Sequence, residues 1–158
     1  MKLDKVLVPL DGSTLAEVAM WKAAEMANGG TVSLLRAAEA HTLPGADPVD
    51  AQVTAVREAE EYLASAAKRL QARGVKNVET HVWYGPAAAA IVEAAQVQKA
   101  DLIVMSTHGR SGLGRLILGS VAESVLRGTR APILVVRADS APVEPQEGAR
   151  PAKEAARV

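Results

Sequence analysis

The fold of this chain is indicated by one stretch of its 158 residues, Asp101-Leu-Ile-Val-Met-Ser-Thr-His-Gly-Arg-Ser-Gly-Leu-Gly-Arg-Leu-Ile-Leu-Gly-Ser120. The stretch contains an apolar run at residues 102–105, which is typical of a buried strand. A loop rich in glycine follows, and a helical pattern begins at Val121. Glycine lacks a Cβ and lets the backbone approach a ligand closely, and the N–H groups at a helix start attract phosphate. The stretch therefore predicts a strand, a phosphate-binding loop and a helix.

Strand and helix patterns alternate along the rest of the chain. We predict strands at residues 6–10, 31–37, 78–84, 102–105 and 133–136. This alternation predicts an α/β fold, a five-stranded parallel sheet with helices on both faces, in one Rossmann-like domain. Ligands of such sheets bind beyond the carboxyl ends of the strands, where the strand order reverses. We therefore expect Asp11, which follows the first strand, and the glycine-rich loop to face a common site.

Boundary signals place the ends of the first two helices. Thr14 and Glu17 have the spacing of a capping box, which predicts that the first helix starts there, and the helix stops at Asn28. Residues 41–50 are predicted as a turn-rich connection because they contain two prolines and a glycine. The second helix is predicted to end at Arg73, with Gly74 as its C-cap.

The composition excludes several classes of function. The 18 basic and 18 acidic residues balance, so no overall charge attracts nucleic acid or an anionic membrane. Cysteine is absent, which excludes disulfides, thiolate catalysis and cysteine metal sites. No segment approaches the length of a membrane span. We expect a cytoplasmic protein that binds neither nucleic acid nor a membrane.

The sequence divides into one domain and a tail. Residues 1–137 carry the strand and helix patterns. From residue 138 to residue 158 the periodicity is lost, and charged residues mix with prolines. This composition is typical of disorder, so we predict a disordered tail at residues 138–158 and assign it no function.

Four pieces of the chain resemble the universal stress protein family, in its ATP-binding branch. They are the opening strand with Asp11-Gly-Ser13, Gly85-Pro86, the loop at residues 106–120, and the closing Ala131-Pro-Ile-Leu-Val-Val136. The resemblance covers roughly residues 2–137. It implies the adenine nucleotide alpha hydrolase-like form of the Rossmann-like fold.

The phosphate motif of that family is matched in part. The motif reads glycine, two residues, glycine, nine residues, then glycine with serine or threonine. Gly109 and the pair Gly119-Ser120 match it, whereas Ser106 occupies the place of the first glycine. The backbone N–H of Ser106 supplies the same donor, but its side chain would crowd the ribose or the first phosphate.

The resemblance implies that the chain binds ATP together with Mg²⁺. Adenine would lie against apolar or backbone positions at strand ends, namely Pro9, Leu10, Ala37 and Met105. The phosphate chain would lie along Gly109, Arg110, Gly119, Ser120 and Val121. Asp11 would contact the adenosine part, or a Mg²⁺ ion carried by the nucleotide. His108 belongs to the same loop, where it would hold the backbone by hydrogen bonds rather than act as a catalyst.

Simpler roles remain open for several of these residues. Asp11 has the alternative of a turn residue that bonds to nearby backbone N–H groups. Ser120 has the alternative of an ordinary N-cap. Arg110 is suited to phosphate by its planar guanidinium, but an arginine in a loop also occurs fully solvated.

Three functions follow from these observations. The first is an ATP-binding stress-response regulatory protein, a nucleotide-dependent sensor or switch. The second is a slow ATPase at the same site, although the loop offers no carboxylate to orient the attacking water and no dedicated catalytic group is identified. The third is a dimeric interaction protein whose nucleotide site is degenerate because of Ser106.

The last predicted strand suggests a homodimer. An apolar strand at the edge of a sheet presents open backbone groups that invite pairing with a second chain. The resemblance likewise implies association through this strand, with an interface formed by Ile133, Leu134, Val135 and Val136. The sequence does not identify the stress signal or a downstream protein partner.

Overall fold

The computed structural model of this chain describes residues 2–108 and 118–138, with side chains for residues 2–107 and 118–137. The strands are β1 (Lys5–Pro9), β2 (Thr31–Ala38), β3 (Val78–Tyr84), β4 (Leu102–His108) and β5 (Ile133–Ala138). The helices are α1 (Glu17–Ala27), α2 (Pro48–Ala72), α3 (Ala87–Val97) and α4 (Ser120–Gly128).

The five strands form one parallel sheet in the order β3-β2-β1-β4-β5. The predicted fold class is confirmed. The order reverses between β1 and β4, because β2 and β3 lie on one side of β1 whereas β4 and β5 lie on the other. β3 and β5 occupy the two edges, as their sequences predict.

Helices cover both faces of the sheet, which explains why the central strands contain runs of consecutive apolar residues. Val6 and Val8 pack into the core beneath α1 and α2, whereas Leu7 points to the opposite core beneath α3 and α4. All three side chains are fully buried. A strand covered on both faces needs apolar residues at every position rather than at alternate ones.

Two helix starts differ from their sequence predictions. α2 begins at Pro48, because the Asp47 side chain caps it by accepting a hydrogen bond from the Val49 N–H at 2.8 Å. The predicted connection at residues 41–50 is therefore too long. The predicted capping box of α1 is wrong, since the helix begins at Glu17 and has no side-chain cap at Ala16. Neither α2 nor any other helix in the described ranges is long and apolar enough to cross a membrane.

Two strands extend beyond their predicted ends. β4 continues past Met105 to His108, so that Ser106 and Thr107 lie in the strand rather than in the loop. Their backbones align with Val136 and Arg137 of β5. β5 itself ends at Ala138, the first residue of the predicted tail. The rest of the tail, residues 139–158, lies outside the described residues.

A buried ion pair joins α1 to α2. Glu17 accepts two hydrogen bonds from the Arg69 guanidinium, at 2.7 and 2.8 Å, and a third from the Tyr62 hydroxyl at 3.0 Å. The Glu17 side chain is 9% exposed. The hydrogen bonds from Arg69 hold the pKa of the Glu17 carboxyl below its ordinary value, although burial acts in the opposite direction. The capping-box interpretation missed this role because the partners of Glu17 lie 45 and 52 residues further along the chain.

We predict that Glu17→Gln lowers the free energy of unfolding at pH 7 by about 2 kcal/mol, because it leaves the Arg69 charge without its carboxylate. The lowered pKa of Glu17 means that this stabilisation is complete at neutral pH and is lost as the pH falls through that pKa. The gap between wild type and variant should therefore shrink below about pH 4.5, the ordinary value. Urea unfolding of both proteins at several pH values measures this difference in the free energy of unfolding.

Glu25→Gln is the matched control for this prediction. Glu25 pairs with Lys22 at 2.7 Å on the exposed surface of the same helix. Exposed pairs contribute little, so this change should shift the free energy of unfolding by less than about 0.5 kcal/mol. Equal losses in the two variants would contradict the assigned role of Glu17.

Candidate functional site

The sheet opens between β1 and β4 at its carboxyl end. The two strands pair at two positions, Val6 with Leu102 and Leu7 with Ile103. β1 then stays paired with β2 as far as Pro9, while β4 stays paired with β5 as far as His108. Pro9 has no N–H group to donate to a neighbouring strand. A crevice therefore forms where the strand order reverses, the usual ligand position in an open α/β sheet.

A cavity of about 610 Å³ occupies this crevice. Its volume falls within the usual range for small-molecule sites. Every predicted nucleotide-binding residue whose side chain is described lines it, namely Pro9, Leu10, Asp11, Ala37, Met105, Ser106, Gly119, Ser120 and Val121. Residues from three strand ends and from α4 thus meet in one place although they are far apart in the sequence.

Three further residues that are predicted to belong to the site lack a described side chain and are not assigned to the cavity. His108 is the last residue of β4, and its side chain is outside the description. Gly109 and Arg110 both lie outside the described residues. Their roles therefore stay predictions.

Buried apolar side chains from both faces of the sheet line part of the cavity. Leu10 belongs to the core beneath α1 and α2, whereas Met105 belongs to the opposite core together with Ile91 of α3. The Leu10 N–H donates to the Leu35 carbonyl at 2.8 Å, which continues the β1–β2 ladder past Pro9. A flat apolar ring can lie against these side chains without disturbing them.

Asp11 sits in a tight turn that follows β1. Its Oδ1 accepts hydrogen bonds from the N–H of Ser13 at 2.9 Å and from the hydroxyl of Ser13 at 2.6 Å. Gly12 has φ +88°, a conformation that side chains rarely adopt. The local bonds match the simpler role of Asp11 as a turn residue. They also fix its exposed carboxylate at the wall of the cavity, so the two roles are compatible.

The start of α4 lines another part of the cavity, on the same face of the sheet as Met105. Gly119 is the N-cap of this helix and provides no side-chain cap. Ser120 is the first helical residue, so its alternative role as the N-cap is wrong. A Cβ at Gly119 would meet no atom within 4 Å among the described residues. Gly119, Ser120 and Val121 line the cavity. An anion beside the backbone N–H groups of such a helix start would be stabilised by them and by the helix dipole.

The sequence analysis missed the charged side of the cavity. Four charged or titratable residues from β2, the following connection and α2 also line it, namely Arg36, Glu39, His41 and Glu58. The position of Arg36 could have been predicted from the sequence, because it lies on the same face of β2 as Val32 and Leu34. The contribution of Glu58 depends on how α2 lies across the sheet, which no local pattern reveals.

Asp11 is the residue that suits a metal ion carried by a ligand. Within residues 2–108 and 118–138, no group of three or more His, Cys, Asp or Glu side chains is placed to hold a metal. Mg²⁺ is often bound through one or two carboxylates together with phosphate oxygens and water. Three carboxylates line the cavity, those of Asp11, Glu39 and Glu58, and Asp11 is the one that belongs to the turn after β1.

Comparison with known proteins agrees with this geometry. Residues 2–137 match the universal stress protein family. The chain belongs to that family. The match covers the residues that line the cavity and the whole sheet up to Arg137.

Two curated universal stress proteins illustrate the relationship. A putative universal stress protein of Staphylococcus aureus is 33% identical over 144 residues, covering 88% of this chain and 87% of that protein. A universal stress protein of Methanocaldococcus jannaschii is 46% identical over 80 residues, covering 51% of this chain. The latter match spans 46% of the archaeal protein, about half of its length.

A solved structure shares the architecture of this universal stress protein. It is a universal stress protein crystallised in complex with cAMP, which is 26% identical and superimposes with a TM-score of 0.65. The superposition covers 87% of this chain and 99% of that one. The fold of this chain thus has a counterpart of known structure.

Proposed function

We propose that this universal stress protein binds ATP in the cavity between β1 and β4, as a member of the ATP-binding branch. One observation carries the proposal. Residues predicted to bind nucleotide from a linear motif and from strand ends line a single cavity of suitable volume. Mg²⁺ accompanies the nucleotide, and Asp11 is the side chain that suits it.

Two parts of the cavity lining suit the two ends of an adenine nucleotide. Adenine lies against the apolar side chains at the strand ends, Leu10 and Met105, where ring burial is favourable. The phosphates lie at the start of α4, where backbone N–H groups and the helix dipole stabilise negative charge. Ser120, exposed at that start, has a hydroxyl that can donate to a phosphate oxygen.

The solved relative in complex with cAMP supports a ligand of this class. Its ligand contains adenine, ribose and phosphate, and its fold superimposes on this chain over almost its full length. A cyclic phosphate and a triphosphate differ in charge and reach. The preference of this protein among adenine nucleotides therefore has to be measured as a set of affinities.

Regulation rather than rapid hydrolysis is the proposed role of nucleotide binding. A dedicated hydrolase needs a group that orients or activates the attacking water beside the terminal phosphate. The carboxylates that line the cavity are those of Asp11, Glu39 and Glu58. None of them belongs to the start of α4, where the phosphates are proposed to lie. The cytoplasmic location and the disorder of the tail stay predictions.

We also propose that the protein forms a homodimer through β5. The two edges of the sheet differ in a way that supports this. β3 carries Glu79, Thr80 and His81, and Glu79 pairs with Lys5 at 2.9 Å. β5 carries the run Ile133 to Val136, whose side chains are only half-buried. Charged residues protect an edge from pairing, whereas an apolar edge favours it.

We predict that Gly119→Val lowers ATP affinity by about 100-fold, equivalent to about 2.7 kcal/mol. The added side chain would occupy the space that a phosphate needs beside the helix start. The backbone at Gly119, with φ −60° and ψ 156°, is allowed for valine, and no described atom lies within 4 Å of a Cβ. Stability should therefore be retained. Calorimetric titration with ATP and Mg²⁺ measures the affinity.

Two variants complete that experiment. Ser124→Val adds a similar side chain to an exposed position of the same helix that does not line the cavity, and should bind as wild type does. Ser106→Gly restores the first glycine of the motif. If the wild-type protein fails to bind ATP and Ser106→Gly binds it, the nucleotide site is degenerate. That result would support the alternative function of a dimeric interaction protein. Unchanged affinity in Gly119→Val would mean that the phosphates lie elsewhere.

We predict that Val135→Lys converts the dimer to a monomer, because it places a charge on the apolar edge strand. Light scattering measures the mass, and circular dichroism checks that the domain remains folded. Val97→Lys is the control, since Val97 is 67% exposed on α3, away from β5. A dimer mass that persists in folded Val135→Lys would refute this interface.

A further inference from the structure

Arg36 occupies a position where the sheet would ordinarily carry an apolar residue. It follows Val32 and Leu34 on one face of β2, and both of those side chains are fully buried. Arg36 is half-buried and reaches the cavity wall. Partial burial of a charge carries a free-energy cost unless the charge finds a partner. The half-buried guanidinium of Arg36 is therefore expected to have a partner that offsets the cost of burying its charge.

The guanidinium of Arg36 is held between an aromatic ring and a turn. Its central carbon lies 4.9 Å from the centroid of the Tyr62 ring. One terminal nitrogen lies 3.0 Å from the point that a Cβ on Gly12 would occupy. The Tyr62 hydroxyl is bonded in turn to the buried carboxylate of Glu17. The guanidinium is thus fixed at the mouth of the cavity beside the turn that contains Asp11.

No carboxylate in the described part of the chain forms an ion pair with Arg36. Asp11, Glu39 and Glu58 line the same cavity without pairing with it. The stacking on Tyr62 accounts for one face of the guanidinium but not for its hydrogen-bond donors. Those donors are planar and arranged to grip two oxygens of an anion at once.

We propose that Arg36 is an anion-recognition residue of the cavity, binding a phosphate oxygen of the bound nucleotide, and that Tyr62 is its positioning residue. This inference rests on the proposed function. Arg36 belongs to β2 and the start of α4 follows β4, so β1 separates the two. At about 4.8 Å between paired strands, β2 and β4 lie about 10 Å apart where both pair with β1, and the gap is wider at the carboxyl end, where β1 and β4 part. A ligand that spans this gap meets positive charge at both of its ends.

The proposal is tested by comparing charged and uncharged ligands. Adenosine, AMP, ATP and cAMP are titrated into wild type and Arg36→Gln by calorimetry. The affinity of at least one phosphorylated ligand should fall about tenfold or more in the variant, while the affinity for adenosine changes less than about twofold. The ligand with the largest loss identifies whether Arg36 binds a terminal, a 5′ or a cyclic phosphate. Arg36→Lys, which keeps the charge but not the planar fork, should give an intermediate loss.

Arg73→Gln is the matched control. Arg73 stacks on Trp21 at 4.5 Å, a contact of the same kind, but it lies beyond the end of α2 and does not line the cavity. This variant should bind every ligand as wild type does. Tyr62→Leu should reproduce the ligand pattern of Arg36→Gln, whereas Tyr62→Phe keeps the ring and should retain more of the phosphate preference.

Each contrary result has a separate meaning. Equal losses for adenosine and ATP in Arg36→Gln would overturn the proposal, because they indicate packing rather than recognition of charge. Unchanged ATP, AMP and cAMP affinities in a folded Arg36→Gln would also overturn it, while wild-type binding would leave the proposed function intact. Failure of wild type to bind any of the four ligands would refute the proposed function itself and the role of Arg36 with it.

Discussion

The parting of β1 and β4 is the constraint on which the rest of the site depends. The two strands share two aligned pairs, and each then continues only with its outer neighbour. Backbone groups at the carboxyl end of the sheet therefore face an opening instead of another strand. The helices that follow β1 and β4 in the sequence, α1 and α4, pack on opposite faces of the sheet. Reversal of the strand order thus creates a cavity without any dedicated element to build it.

The groups around this opening are held in place by contacts deeper in the fold. Asp11 is fixed by its hydrogen bonds to Ser13, and Arg36 by its contact with Tyr62. Tyr62 is fixed in turn by the Glu17 carboxylate, which also binds Arg69. A chain of polar contacts therefore runs from the α1–α2 interface to the cavity. Rigid placement matters because a preorganised site loses less entropy when a ligand binds.

Local sequence patterns were sufficient to predict the strands of the sheet, but they did not predict every residue that lines the cavity. Apolar runs predict the central strands because strands buried on both faces leave a continuous signal, whereas β3 is predicted from the alternating pattern of a half-buried strand. The extension of β4 through Ser106 was missed because it depends on pairing with β5, which a short window does not contain. Arg36 and Glu17 were missed for the same kind of reason. Their partners come from α2, and only the folded chain brings those residues together.

The most direct test of the central claim is titration of the purified wild-type protein with ATP and Mg²⁺, after a denatured sample has been checked for nucleotide carried through purification. We predict saturable binding of one nucleotide per chain, or nucleotide already bound in the purified protein. No heat of binding together with no retained nucleotide would contradict the account. The cavity between β1 and β4 would then be a vestige of the fold, and the function would lie in the dimer.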